Sequence, residues 1–132
     1  MSAFTNAELR FLVGERRLAR LATVGRDGTP HVVPVGWNYN GERDAIDIGG
    51  HDLERTKKFR DVRRHGRAAV VIDDVQPPWR PRGVEVRGRA EAIDAPRPLI
   101  RIHPERIVSW GIEHDAIGVR HARSVTAARA GT

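Results

Sequence analysis

The residues best placed to do chemistry lie together in Asp47-Ile48-Gly49-Gly50-His51-Asp52-Leu53-Glu54-Arg55-Thr56-Lys57-Lys58. The chain has 23 basic residues in its 132, and Lys57 and Lys58 are its only lysines. The stretch reads as a strand end, a double glycine and the first turn of a cationic helix. A helix start carries unpaired N–H groups and the positive end of the helix dipole, so it attracts anions. Gly49 and Gly50 would let the backbone come close to a ligand. With Arg55, Thr56, Lys57 and Lys58 this makes a candidate phosphate site. A solvated basic helix face would look the same.

Other chemistry has weaker support. Serines occur only at Ser2, Ser109 and Ser124, none in a G-x-S-x-G elbow. With no cysteine, thiolate chemistry, disulfides and zinc–cysteine sites are excluded. The six histidines show no H-x-x-x-H or H-x-H spacing, and Glu113-His114-Asp115 is at most suggestive of metal binding. Asp73-Asp74 could be paired carboxylates, but neighbours on a strand point to opposite faces. Trp37, Trp79 and Trp110 could hold a flat ring or simply pack. The net charge of +6 fits an acidic partner, or the arginine-rich usage of a GC-rich genome. No RNA-recognition, K-homology or helix-turn-helix signature accompanies it. The first residues lack the basic and apolar regions of a signal peptide. The longest aliphatic run, 68–72, is too short to span a bilayer, so a cytoplasmic protein is expected.

These residues must be positioned by a small fold. Thr5 and Glu8 predict a capping box, with Phe4 and Leu9 as a hydrophobic staple. The helix should reach about Arg16 on a stripe of Leu9, Leu12 and Val13. Strands are predicted over 18–24, 31–39 and 44–48, with turns at Arg26-Asp27-Gly28-Thr29 and Asn40-Gly41. In the second, His31, Val33, Val35, Trp37 and Tyr39 share a face, and Pro34 marks an edge or bulge. A helix capped by Asp52 should run to about Arg64, burying Leu53, Thr56, Phe59 and Val62, and stop at His65-Gly66. Residues 67–72 read as a strand buried on both faces and ended by Asp73-Asp74. A stiff loop follows over 76–81, then a strand over 83–93 with Val84, Val86, Gly88, Ala90 and Ala92 on one face. A turn or short helix near Pro96, a last strand over 106–112 and a fraying tail from about Ala122 complete the chain. About six antiparallel strands in one domain over 1–132, ordered from about 4 to 121, suggest a closed or nearly closed barrel.

In order and spacing these pieces resemble the pyridoxamine 5′-phosphate oxidase-like split-barrel flavoproteins. The resemblance rests on Leu18-Ala19-Arg20-Leu21-Ala22-Thr23-Val24, Asp27-Gly28-Thr29-Pro30-His31-Val32-Val33-Pro34-Val35, Arg55 to Val62, Val70-Val71-Ile72-Asp73-Asp74 and Gly83 to Ala90. Arg106 to Gly111 is similar to the closing strand of an actinobacterial subgroup of F420-dependent enzymes. The resemblance implies a mainly β (α+β) fold, a six-stranded antiparallel split β-barrel of the FMN-binding kind with two or three short helices. It implies a homodimer with cofactor clefts at the subunit interface, and an oxidoreductase acting on a small molecule through coenzyme F420 or FMN. Arg55, Thr56, Lys57 and Lys58 would hold the cofactor phosphate, and Gly49 and Gly50 would line its approach. Val33, Pro34 and Val35 would run beside the ring. Trp79 and Trp110 would form a rim supplied by the other subunit. The anionic phosphodiester and polyglutamate tail of F420 suit the basic balance better than FMN does. A carrier or sensor without turnover, and a polyanion-binding barrel, are the alternatives. The arginine-rich C-terminal extension of the true oxidases is missing, which argues against pyridoxamine phosphate as substrate. His31 and Tyr39 are proton-donor candidates by residue type alone.

Overall fold

A computed structural model describes residues 1–113 and 116–125, so His114 and Asp115 of the suggestive acidic–histidine run, and the tail from 126, lie outside the described residues. The first helix, α1 (Asn6–Gly14), starts as the sequence demands. Thr5 accepts from the Glu8 N–H, and the Glu8 carboxylate accepts from the Thr5 N–H. Its buried face differs from the expected stripe: Ala7, Glu8, Phe11 and Leu12 turn inward, and Val13 stays 65 % exposed. The cause is tertiary. Glu8 is drawn in by Ser109 and Arg123 from distant strands, which rotates the helix.

The sheet contains β1 (Ala19–Val24), β2 (Pro30–Val35), β3 (Trp37–Asn40), β4 (Ala45–Ile48), β5 (Arg67–Gln76), β6 (Arg80–Ile93), β7 (Leu99–Trp110) and β8 (Arg120–Ser124). Neighbours run β2-β1-β5-β6-β7-β4-β3, all antiparallel, with β8 added to β7. The expected single strand over 31–39 is divided at Gly36. Its first part pairs with β1 and its second with β4, so the chain from 30 to 40 curls the path back on itself. Counted as one bent strand, it gives the half-barrel its six staves, and β8 is extra. Val35, Leu21, Ile46, Ile48, Val70, Ile72, Val84, Val86, Ile100, Ile102 and Ile107 fill the interior.

Several strands outrun their sequence signals. β5 is not buried on both faces: Val70 and Ile72 are buried and their neighbours half-buried. Nor do Asp73 and Asp74 end it, because ion pairs to Arg20, and to Arg17 and Arg82, neutralise them in mid-strand. The β5–β6 hairpin closes in a short turn near Pro77-Pro78-Trp79 instead of a loop over 76–81. β7 starts seven residues early, at Leu99. Pro104 is tolerated there because the register shifts between Arg87 and Gly88, leaving Glu105 without a partner on β6. β8 overrides the expected fraying at Ala122: Arg123 donates to Glu8 and to the Ala3 carbonyl, and anchors the strand.

Asp52 is not the cap of the second helix. It lies in the left-handed region at φ 49° and heads only a 3-10 turn, Leu53–Arg55. Thr56 caps α2 (Lys57–His65), its hydroxyl accepting from the Phe59 N–H. Leu53, at 1 % exposure, is drawn into the core and breaks the continuous helix. Phe59 and Val62 are buried as expected, Thr56 is half-buried, and Asp61 is buried beside them. Gly66 at φ 78° ends the helix, donating its N–H to the Val62 carbonyl.

Candidate functional site

Because α2 begins at Thr56, its positive end lies beside the β1–β2 turn. That turn is tight: the Gly25 N–H bonds the Thr29 carbonyl at 2.9 Å, and the Thr29 N–H bonds the Asp27 carboxylate at 3.0 Å. Between turn and helix runs an open groove. Arg26, Asp27, Thr29, His31 and Lys57 line one part, and Arg26, Lys57, Arg60, Asp61, Arg63 and Arg64 line the adjoining part, of about 440 Å³. Arg26 and Lys57 are shared by both. Gly25 makes room at the junction, where a β-carbon would lie 3.0 Å from His31 Nε2 and 3.3 Å from Lys57 Nζ.

The groove holds five cationic side chains and two carboxylates. One carboxylate, Asp61, is only 2 % exposed. Its Oδ1 accepts from Arg64 at 2.6 Å, and Lys57 Nζ stands 3.2 Å from Oδ2. Burial pushes the Asp61 carboxyl up, but hydrogen bonds from Arg64 and Lys57 outweigh it and hold it below the usual carboxylate range. Asp61 therefore stays ionised and holds both cations in place. Arg63 is partly diverted, bonding Asp94 at 2.9 Å.

The expected phosphate residues are thus sorted. Lys57 faces the groove. The Thr56 hydroxyl is committed to the helix, accepting from Phe59 and donating to the Leu53 carbonyl at 2.6 Å. Arg55 is exposed and its carbonyl accepts from Arg60, while Lys58 is half-buried outside the groove lining. Gly49 and Gly50 are exposed, and a β-carbon on Gly49 would meet nothing within 4 Å. Arg26, Asp61 and Arg64 also line the groove, and the sequence reading did not include them. The i,i+4 spacing of Lys57 and Asp61 and the i,i+3 spacing of Asp61 and Arg64 were the available signal.

From the groove, β2 leads away along the free edge of the sheet. The Gly25–Thr29 bond sets the alternation of the ladder. Thr23–His31, Leu21–Val33 and Ala19–Val35 are then the hydrogen-bonded pairs, and Pro30, Val32 and Pro34 turn their backbone groups outward. Both prolines fall where a missing N–H costs no ladder bond. The outward edge is a row of carbonyls with one N–H, that of Val32. Of the three residues expected beside a ring, Pro34 presents its carbonyl, Val33 is part-exposed and Val35 is buried at 6 %.

Trp79 and Trp110 are elsewhere. Trp79 is 64 % exposed at the β5–β6 turn. The Trp110 ring packs on Gly83 and under the Arg120 guanidinium, 4.8 Å from the ring centroid. α2 contacts the other end of β6, where the Gly66 carbonyl accepts from the Ala90 N–H. From Gly83 to Ala90 is about 23 Å of strand. Of the two proton-donor candidates, His31 lies on the edge strand itself and lines the groove, whereas the Tyr39 hydroxyl donates to Asp44 at 2.6 Å. Burial, and then that bond, push the Tyr39 phenol up and make it a poorer acid. No cluster of three or more metal-ligating side chains occurs among the described residues. No helix among them is long and apolar enough to cross a membrane.

The sequence profile of pyridoxamine 5′-phosphate oxidase matches residues 5–130. A 5a,11a-dehydrotetracycline/5a,11a-dehydrooxytetracycline reductase from Streptomyces rimosus is 44 % identical over 135 residues, covering 94 % of each chain. A conserved hypothetical protein of Mycobacterium tuberculosis has a similar structure, with a TM-score of 0.71, 21 % identity and 96 % of each chain covered. An F420 reductase aligns with a TM-score of 0.57 and 20 % identity, over 74 % of this chain and 94 % of its own. At such identities the two structures speak to the fold alone.

Proposed function

Since the chain belongs to the pyridoxamine 5′-phosphate oxidase family and is one of its oxidoreductases, we propose that it takes coenzyme F420 and reduces an unsaturated, carbonyl-conjugated small molecule. The observation that carries this reading is the cationic groove at the end of the free edge strand. It fits an elongated ligand with a phosphate at one end and a flat polar-edged ring at the other. From His31 to Pro34 is about 10 Å of strand, the scale of a five-carbon polyol linking such a ring to its phosphate.

Lys57, Arg26 and Arg64 would hold the phosphodiester, helped by the N–H groups at the start of α2. Arg60 and the free part of Arg63 extend the positive face toward further carboxylates. The outward carbonyls of Pro30, Val32 and Pro34 and the Val32 N–H would orient the polar edge of the ring. When bound in reduced form, the deazaflavin supplies the hydride, so the protein needs no nucleophile of its own. The 44 % identical relative, named as a reductase of 5a,11a-dehydro compounds, supports an activated double bond as the acceptor.

A homodimer belongs to the same reading. Leu18, Val32, Val75 and Trp79 are large apolar side chains left exposed at 53, 67, 47 and 64 %. Trp79 and Trp110, remote from the groove of their own subunit, would rim the cleft of a second copy. Light scattering on the purified protein should give twice the chain mass.

The test is a fluorescence titration with F420 and, separately, with FMN. Tight binding of F420, followed by oxidation of its reduced form in the presence of a dehydrotetracycline, is the expected result. Preference for FMN moves the cofactor assignment, and binding of neither by folded protein removes it.

A further inference from the structure

One residue of the groove is not explained by anion binding. Asp61 lies between two core residues of α2, Phe59 and Val62, and shares their burial, yet it is a carboxylate on the floor of a cationic groove. Arg64 donates to its Oδ1, and its Oδ2 makes no hydrogen bond of its own, Lys57 standing near it as an ion-pair partner. The Lys57 ammonium is confined from the opposite side by the β1–β2 turn, at the open face of Gly25 beside His31. The charged and titratable groups of the groove are Arg26, Lys57, Arg60, Arg63 and Arg64 beside Asp61, with Asp27 from the turn and His31 from β2 in the adjoining part. Of these, Arg63 is shared with Asp94, which precedes β7.

We propose that Asp61 is a positioning residue and charge filter, fixing Lys57 and Arg64 for a phosphate ester and favouring singly charged phosphodiesters over doubly charged phosphomonoesters. The reasoning is electrostatic and rests on the groove being the anion site. A fixed carboxylate under the two central cations orders them, which lowers the entropy lost when a ligand binds. It also repels the ligand. That repulsion acts once on a phosphodiester and twice on a phosphomonoester, whose second ionisation lies near pH 6. F420 carries the first kind of phosphate and FMN the second, so the same residue would bias the site between them.

The experiment uses simple esters, so that it does not depend on which cofactor binds. Dimethyl phosphate and methyl phosphate are titrated by 31P NMR at about pH 8, where the monoester is a dianion. Asp61→Asn should tighten the dianion about five- to tenfold more than the monoanion. Asp61→Ala, which also removes the hydrogen bond to Arg64, should bind both esters more weakly than Asp61→Asn does. In the wild type, methyl phosphate should shift the Asp61 carboxyl carbon and the Lys57 ammonium resonances together, a readout that needs no variant to fold. Equal changes for the two esters, unmoved Asp61 and Lys57 signals, or no measurable ester binding would each overturn the proposal. If the esters behave as expected but neither F420 nor FMN binds, the cofactor assignment falls and the charge filter stands.

Discussion

Replacing Lys57 and Lys58 separately by alanine divides the groove from the rest of the basic helix start. Lys57 is about half exposed, lines both parts of the groove and stands 3.2 Å from Asp61. A charge-assisted contact to phosphate contributes roughly 1.5–3 kcal/mol. Lys57→Ala should therefore weaken F420 about ten- to a hundredfold. The cost to folding is smaller. The i,i+4 pair with Asp61 is part-solvated, and a cation at a helix start opposes the dipole, so about 0.5 kcal/mol is the expected loss. At this chain length that lowers Tm by about 2 °C. Asp61 keeps Arg64 at 2.6 Å and is not orphaned. Lys58 lies outside the groove lining, so Lys58→Ala should change affinity less than threefold. The assay is fluorescence titration of each variant at two salt concentrations, beside its thermal melt. A folded Lys57→Ala that binds within twofold of wild type refutes the placement of the anion, and so does an equal loss in Lys58→Ala.

Three further outcomes follow from the same geometry. Gly88→Ala puts a β-carbon 1.9 Å from the His103 carbonyl oxygen across the strand pair. Backbone must move there, and a loss of about 3 kcal/mol or more, roughly 10 °C in Tm, is expected; an unchanged melt would show that the bulge at Arg87/Gly88 is misplaced. Arg123→Ala leaves the buried Glu8 carboxylate with Ser109 and the Thr5 N–H, and should free β8 from α1. Amides of 120–124 should then exchange far faster while those of β1 and β5 stay protected, and unchanged exchange would count against the anchor. The third concerns acid. Burial pushes Glu8 up but bonds from Arg123 and Ser109 prevail, and Arg82 leads in holding Asp74 down, so both folded-state values are lowered. Carboxyls of lowered pKa contribute stability above their unfolded values of 4.5 and 3.8, and lose it as pH falls through the folded ones. Chemical denaturation should show stability level near neutrality and declining below about pH 4.5, less steeply in Asp74→Asn; a decline beginning near pH 6 would point to histidine instead.

The sequence alone determined the elements whose signals are local. The Thr5–Glu8 capping box, the turn over 26–29, the stop at Gly66 and the alternation of β6 depend on residues a few positions apart, and each is present in the fold. Pro34 announced an edge strand because a missing N–H has the same consequence in any sheet, and β2 ends the sheet path. The ordered motifs were enough to indicate the split barrel and the oxidoreductase family. Tertiary structure decided what depends on partners far along the chain. Asp73 and Asp74 read as a strand end until Arg20, Arg17 and Arg82 neutralise them. The chain from about Ala122 reads as a frayed tail until Glu8, more than a hundred positions away, receives Arg123. The start of α2 moved from Asp52 to Thr56 because the core drew in Leu53. That move brought Lys57, rather than Lys58, against the β1–β2 turn. The basic composition could suggest an anion site, but which cations line the groove was set by the packing of α2 against the β1–β2 turn, with the buried Asp61 holding Lys57 and Arg64.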